Sequence, residues 1–302
     1  FYTSFYHALI QPNEISDVDG QYRNAADSIV TAHGGKFYST FSLWDTYRAA
    51  HPFYTIMVPE RVDGFVNSLI EQSDVQGFLP IWGLWGKENF CMIANHGVSV
   101  VAEAYAKGFK GFDAEHAFQA IKKTQTVSHP LKSNWESYMK YGYFPTDITE
   151  AESVSSTLES VYDDYAAADM AKRMGKDEDA KKYLQQLIVK YPNSLIGHKC
   201  LAEIYEKEEK YELSLEEYEK VYELKPEDEK IYLKIGKLYG NVGREDEAIS
   251  IFNDILRRKP DYYEASLILA DILNSKKEFK DAVQVYMNAL RYRPADYNLY
   301  YN

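Results

Sequence analysis

The sequence is poor in the residues that would mark several function classes. Its 302 residues hold two cysteines, Cys91 and Cys200, too few for a disulfide framework or a thiolate metal site. Basic residues are outnumbered, and a formal net charge of −12 argues against a nucleic-acid footprint or binding to an anionic membrane surface. No run of about 18 apolar residues occurs, so nothing spans a bilayer as a helix. Phe1 opens an aromatic stretch without an initiator Met or a charged n-region. These residues therefore hold no secretory signal, and a start further upstream is left open.

What is present is unevenly spread. Residues 1–160 carry 11 Lys/Arg and 18 Asp/Glu, and residues 161–302 carry 23 and 28. All four tryptophans (Trp44, Trp82, Trp85, Trp135) and six of the seven histidines lie in the first part. The first part reads as a site-bearing globular domain, and the second as amphipathic helices with charged outer faces.

Four prolines punctuate the second part, Pro192, Pro226, Pro260 and Pro294, each 34 residues after the last. Ala168, Ala202, Gly236 and Ala270 keep that step, as do Ala180, Ser214, Ala248 and Ala282, and the aromatics Tyr218, Phe252 and Tyr286. A small residue lets two antiparallel helices approach, the aromatic fills the gap beside it, and the proline stops the second helix. The pattern resembles the tetratricopeptide repeat, whose period is 34 residues. It predicts a hybrid hairpin over 161–194, repeats over 195–228, 229–262 and 263–296, and a truncated last helix in ADYNLYYN. Helices A and B are expected near 195–208 and 211–224, with later A helices starting near 229 and 263. Such arrays hold a protein or peptide partner in a groove lined by helix A. Here the lining would include Lys199, Lys230, Lys234 and Lys237, with Glu264 and Asp271. Those lysines would draw an acidic tail, and they serve equally as a solvated face.

Residues 1–160 alternate helical stretches with aromatic loops. Helices are expected on both sides of Pro52 and Pro59 with Ser39 or Thr40 as cap, over ENFCMIANHGVSVVAEAYAKG up to Gly108, after Asp113 in AEHAFQAIKKTQ, and over ESVSSTLESVYDDYAAADMAKRMG. Strand-like alternation is scarce. FYTSFYHALIQPNEISDVDGQYR, FYSTFSLWDTYRAAHP, ENFCMIANHGVSVVAEAYAKGFKGFDAEHAF, KYGYFP and ESVSSTLESVYDDY follow one another in order. Together they resemble glycoside hydrolase family 92 over about residues 1–176. That resemblance implies a calcium-dependent, exo-acting, inverting α-mannosidase, in bacteria a secreted or periplasmic protein. The fold expected is all-α: a partial (α/α) toroid-type glycosidase domain over 1–160, then a tetratricopeptide solenoid over 161–302.

An inverting glycosidase sets two carboxyls about 6.5–9.5 Å apart, one to protonate the leaving oxygen and one to activate water. In the family the acid lies in a motif like EGNAWQY, the base aspartates in one like GNDDCGQMSAW, and calcium ligands in one like HGNEPSHH. None occurs in these 302 residues. The expectation is a glycosidase segment that is inactive by itself, with no calcium site; the alternative function is a protein–protein interaction scaffold. The resemblance implies sugar contacts from Trp44 and Asp45, a carboxylate beside an aromatic face, where the plain alternative is an Asp45–Arg48 pair three residues apart. It also implies a polar pocket segment holding Glu88 and His96, read as one helical face; a histidine in an apolar helix is, however, more often a hydrogen-bonded core residue. His7, Arg23 and Lys87 could face the same pocket. Asp17 and Asp19 in SDVDGQYR suit Asx turns better than a calcium loop, which needs a third acidic position and a distal Glu.

The segment AAADMAKRMGKDEDAKKYL fits both patterns. Gly175 would close its first helix, and Asp177 or Asp179 would cap the second. Interrupting a ring of helix pairs is expected to expose apolar stretches such as Phe78–Trp85.

Overall fold

The computed structural model describes residues 1–128, 135–149 and 151–292. It divides into two compact units, Phe1–Pro192 and Asn193–Asn302. In the first unit the helices are α1 (Tyr2–Ala8), α2 (Leu43–Thr46), α3 (Ala50–Met57), α4 (Pro59–Gln76), α5 (Gly97–Ala106), α6 (Ala114–Thr124), α7 (Trp135–Tyr141), α8 (Ser153–Arg173) and α9 (Asp177–Lys190). Its strands are two or three residues long: β1 (Asn13–Glu14), β2 (Gln21–Arg23), β3 (Ile29–Thr31), β4 (Tyr38–Ser39), β5 (Phe41–Ser42), β6 (Trp82–Leu84) and β7 (Lys87–Glu88). They form antiparallel ribbons β1–β4 and β2–β3 and a three-stranded β5–β6–β7 sheet. The protein is all-α in class, with short ribbons that add Tyr22, Tyr38 and Phe41 to the core.

Helix α4 shows how the sequence sets an element. Pro59 supplies a helical φ where no N–H bond is needed. Val62, Phe65, Val66, Leu69 and Ile70 recur at helical spacing and are all buried. Gly77 ends the helix in the left-handed region at φ 93°, its N–H donating to the Ser73 carbonyl at 2.7 Å. Asp113 caps α6, accepting the His116 N–H at 3.0 Å.

Several local expectations are corrected. The helix placed on ENFCMIANHGVSVVAEAYAKG starts only at Gly97, because residues 89–96 form an irregular loop in which Phe90, Met92 and Ala94 take positive φ. Ser39 belongs to β4, and the residue before α2 is Ser42, with no side-chain cap. Neither Asp177 nor Asp179 caps α9: Lys176 precedes it, and Asp177, Glu178 and Asp179 form an acidic first turn that answers the helix dipole. Phe78, Leu79 and Ile81 are buried within the first unit, leaving Trp85, 69% exposed, as the large exposed side chain of that stretch. The first unit covers most of this apolar segment by itself.

The described residues of the second unit form three helical hairpins: α10 (Leu195–Lys207) with α11 (Tyr211–Leu224), α12 (Glu229–Asn241) with α13 (Glu245–Arg258), and α14 (Tyr263–Ser275) with α15 (Phe279–Tyr292). Ala202, Gly236 and Ala270 are buried, as are Ser214, Ala248 and Ala282 and the aromatics Tyr218, Phe252 and Tyr286. A Cβ on Gly236 would stand 2.9 Å from the Phe252 ring, so the small position and the aromatic position meet. Helices α9, α11 and α13 each stop two residues before their proline. Pro294 and the last helix expected in ADYNLYYN lie outside the described residues.

The hairpin α8–α9 belongs to the first unit. Gly175, at φ 73°, joins its helices, and Ala168 and Ala180 are both buried. One core residue of this unit carries a pH consequence. His51 on α3 sits among the rings of Phe41, Tyr54 and Phe65. Burial drives its pKa from 6.5 down to about 3. Native His51 is therefore neutral, and its contribution is complete above pH 6.5 and lost as pH falls toward 3. Between pH 6.5 and pH 5 this withdraws about 2 kcal/mol from the first unit. Urea midpoints of the chain and of His51→Phe should draw apart as pH falls over that range, because the chain loses stability that the phenylalanine variant keeps. Parallel pH profiles would contradict the assignment.

Candidate functional site

The WDTYR stretch lies on α2 and the turn after it, and α5 and α8 bring the remaining groups to it. The centre is His96, 1% exposed, immediately before α5. Its ring stacks on Tyr47, centroids 3.8 Å apart at 15°. Its Nδ1 lies 3.1 Å from Asp163 Oδ1 on α8, which places a proton on Nδ1 facing a carboxylate. Its Nε2 stands 3.1 Å from Glu159 Oε2 without hydrogen-bond alignment. Asp163 also accepts the Asn95 N–H and the Ser99 hydroxyl, each at 2.9 Å. Glu159 accepts from Arg48 at 3.0 Å and from the Tyr47 hydroxyl at 3.3 Å. Burial, and then the Glu159 charge, push the Tyr47 phenol up to about 12.

Of the four residues expected to contact sugar, Trp44 and His96 are linked and the other two stand apart. The Arg48 guanidinium covers both the Trp44 ring (4.9 Å) and the Tyr47 ring (4.7 Å) and so ties Trp44 to the Glu159–His96 cluster. The Trp44 indole N–H is buried without a hydrogen-bond partner. Asp45 takes the Ser42 hydroxyl, while Arg48 pairs with Glu159 in preference to Asp45. Glu88 lies on strand β7, so it does not share a helical face with His96. Its carboxylate accepts the backbone N–H groups of Ile81 (2.5 Å), Trp82 (3.1 Å), Asn89 (3.0 Å) and Phe90 (2.8 Å), and it clamps the β6–β7 ribbon. The β5–β6–β7 sheet carries Glu88 at one edge and leads through β5 into α2 at the other. Arg23 and Lys87 share Asp27 at the surface.

Beside the cluster is a cavity of about 260 Å³ lined by Tyr47, Arg48, Glu103, Tyr162, Tyr165 and Asp169 among others. Trp44 and Asp45 are not among its walls. Sequence reasoning missed the roles of Tyr47, Glu159 and Asp163 although it quoted their motifs, because the hydrogen-bond partners lie 64 to 112 residues apart in the chain. Asp19 accepts the Gln21 N–H in an Asx turn at the start of the β2–β3 ribbon, and Asp17 holds Val18. Among the described residues no group of three His, Cys, Asp or Glu side chains could hold a metal ion.

In the repeats, Lys234 pairs with Glu206 and Lys237 with Glu264, each at 2.6 Å. Lys199 and Lys230 are exposed. Asp271 accepts the Tyr286 hydroxyl at 2.9 Å.

A helical unit that places an aromatic–carboxylate stretch beside a buried His–Asp–Glu cluster, followed by 34-residue hairpins, defines a glycosidase-type helical domain carried with a repeat array. Residues 1–188 match the model of the glycosyl hydrolase family 92 catalytic domain, and the chain belongs to that family. Residues 165–229 and 233–298 match the tetratricopeptide repeat, so both models claim the α8–α9 hairpin. A solved family GH92 α-mannosidase from Bacteroides thetaiotaomicron is 43% identical, with TM-score 0.60, over 65% of this chain and 26% of that one. A second from the same bacterium, a family GH92 inverting mannosidase, is 30% identical, with TM-score 0.58, over 64% and 27%. Among curated proteins, human protein O-mannosyl-transferase TMTC1 is 26% identical over 184 residues, 60% of this chain and 20% of that protein. An uncharacterized secreted glycosidase of Arthroderma benhamiae is 29% identical over 132 residues, 39% and 17%. The chain thus spans about a quarter or less of the length of these relatives.

The cluster makes a stability prediction. Asp163→Ala strips the acceptor from three buried donors, each worth about 1–3 kcal/mol when left unsatisfied. Urea unfolding should register a loss of about 3 kcal/mol or more from the first unit, with Asp163→Asn intermediate. A loss under about 1 kcal/mol would show the cluster to be idle.

Proposed function

We propose that residues 1–188 supply one wall of a mannoside-recognising site that does not turn over in this chain alone, and that the repeats bind a protein or peptide. One observation carries the first half: the carboxylates at this wall are, but for Asp45, already committed. Glu88 is held by four backbone N–H groups, Glu159 by Arg48 and Tyr47, and Asp163 by Asn95, Ser99 and His96, which leaves Asp45, on a single serine hydroxyl, as the one of these four open to a ligand. Inverting hydrolysis needs one carboxyl free to give a proton and another free to take one from water. The sequence adds that the family's acid and base motifs are absent from these 302 residues.

Asp45 is the best candidate for sugar contact. Its hydrogen-bond partner is a serine hydroxyl, which a sugar hydroxyl can replace. His96 and Glu88 support the site from behind, holding Tyr47 and the β6–β7 ribbon. For the repeats, Lys199 and Lys230 are the groove cations with no ion pair to a described residue, and an acidic segment is the partner they favour. A secreted or periplasmic location is part of the same family-based proposal.

Titrating the chain with methyl α-mannoside by NMR, and assaying an α-linked mannobiose for free mannose with calcium present, tests this reading. Expected are saturable binding, weakened about tenfold or more in Asp45→Ala through loss of a charge-assisted hydrogen bond, and no mannose release. Release at an enzymatic rate would overturn the inactive reading, and absence of saturable binding would overturn the sugar contact.

A further inference from the structure

The 34-residue register lets one repeat be compared with the next. Tyr222 on α11 and Tyr232 on α12 stack face to face, centroids 4.5 Å apart at 9°. Arg258 on α13 lies over the Tyr232 ring at 5.5 Å. This pair fills the space between two B helices and the A helix that separates them. One period later the same positions are Leu256 and Ser266. Two phenol rings have been replaced by a leucine and a hydroxymethyl group, and the surrounding helices have not closed over the deficit. A cavity of about 310 Å³ remains, lined by Leu256, Ser266, Val285, Asn288, Arg291 and Tyr292 among others; Tyr292, in the place of Arg258, is 53% exposed and leaves the space unfilled. That volume is at the lower end of ligand pockets, about 300 Å³. The Ser266 hydroxyl leans on its own helix, toward the Tyr262 carbonyl at 3.4 Å. Asn288 stands where Asp254 stands one period earlier, and its side-chain oxygen is taken by Gln284 at 3.2 Å.

We propose that this cavity is a socket for a tyrosine side chain of a partner polypeptide, which restores the ring that the preceding repeat supplies from its own sequence. The walls fit that occupant. Leu256 and Val285 offer apolar contact to a ring, the Asn253 and Asn288 amides offer hydrogen bonds to a phenol oxygen, and Arg291 can meet an acidic neighbour in the partner. An aromatic anchor seated in a preformed cavity is the type of contact that dominates binding energy at protein interfaces. The socket lies among α13, α14 and α15 and uses none of Lys199, Lys230, Lys234 or Lys237. It rests on the reading of the repeats as a partner-binding array, and it names a second docking point with its own chemistry.

The test uses the whole chain and p-cresol, the tyrosine side chain as a free molecule, with 4-methylcyclohexanol as the non-aromatic control. Saturable amide shifts are expected at residues 256, 266 and 288, with at least severalfold weaker binding of the control. Leu256→Tyr with Ser266→Tyr refills the site and should abolish those shifts while leaving helical circular dichroism intact. Should that variant fail to fold, the reciprocal Tyr222→Leu with Tyr232→Ser should create a second p-cresol site at residues 222 and 232. No saturable shift in the parent, or shifts that persist in the folded refilled chain, would overturn the socket. Shifts that appear only after Tyr297, Tyr300 and Tyr301 are changed to alanine would assign the socket to this chain's own tail and overturn the partner assignment. Lys199→Ala and Lys230→Ala should leave p-cresol binding unchanged, so failure of the groove reading and failure of the socket can be told apart.

Discussion

Helix α9 is held in the first unit by a buried charge pair. Lys190 Nζ lies 2.6 Å from Asp164 Oδ2, with the two side chains 5% and 2% exposed. The Tyr138 hydroxyl donates to the same oxygen at 2.8 Å, Gln125 reaches Oδ1 at 3.3 Å, and the ammonium sits 3.5 Å from the centre of the Tyr138 ring. Burial pushes the Asp164 carboxyl up and the Lys190 ammonium down, and each opposes the other's shift. Neither charge is tolerable in that place without its partner. Asp164 comes from the YDD stretch of the enzyme family, and Lys190 from the helix that keeps the repeat register. The pair therefore joins α7, α8 and α9 with the end of α6, and it explains why the first unit runs to Pro192 and does not stop near residue 160.

That continuity rests on a geometric coincidence between two fold types. A ring of helix pairs and a solenoid of helical hairpins share one building block, two antiparallel helices that meet through small residues. Ala168 and Ala180 supply that contact in α8–α9, and Gly175 supplies the left-handed turn between them. The hairpin therefore satisfies the family 92 pattern at its start and the repeat pattern at its end. A chain can pass from one architecture to the other here without stranding an unpaired helix.

The repeats were legible in the sequence because their contacts are local. Small and aromatic positions that recur every 34 residues meet within one hairpin, so spacing alone placed α10, α11 and the starts of α12 and α14 to within a residue or two of where they lie. The site was less legible. Residues 89–96 read as helix by composition, yet three of them take positive φ, which Glu88 supports by accepting four backbone N–H groups. Tyr47, Glu159 and Asp163 stood in quoted motifs, but what they do depends on partners far away in the chain, which periodicity does not encode. The Tyr222/Tyr232 to Leu256/Ser266 change was visible in the register too, but only the surrounding helices show that the space left behind stays open.

The central claim is that α9 is integral to the first unit through Asp164 and Lys190. A double-mutant cycle of Asp164→Asn and Lys190→Met, read by urea unfolding of the first unit, addresses it directly. Each single change should cost about 3–5 kcal/mol, and the double change well under their sum, with a coupling of about 2 kcal/mol or more. Single losses below about 1 kcal/mol that simply add would show that the pair holds nothing, and the first unit would then have to be explained without α9.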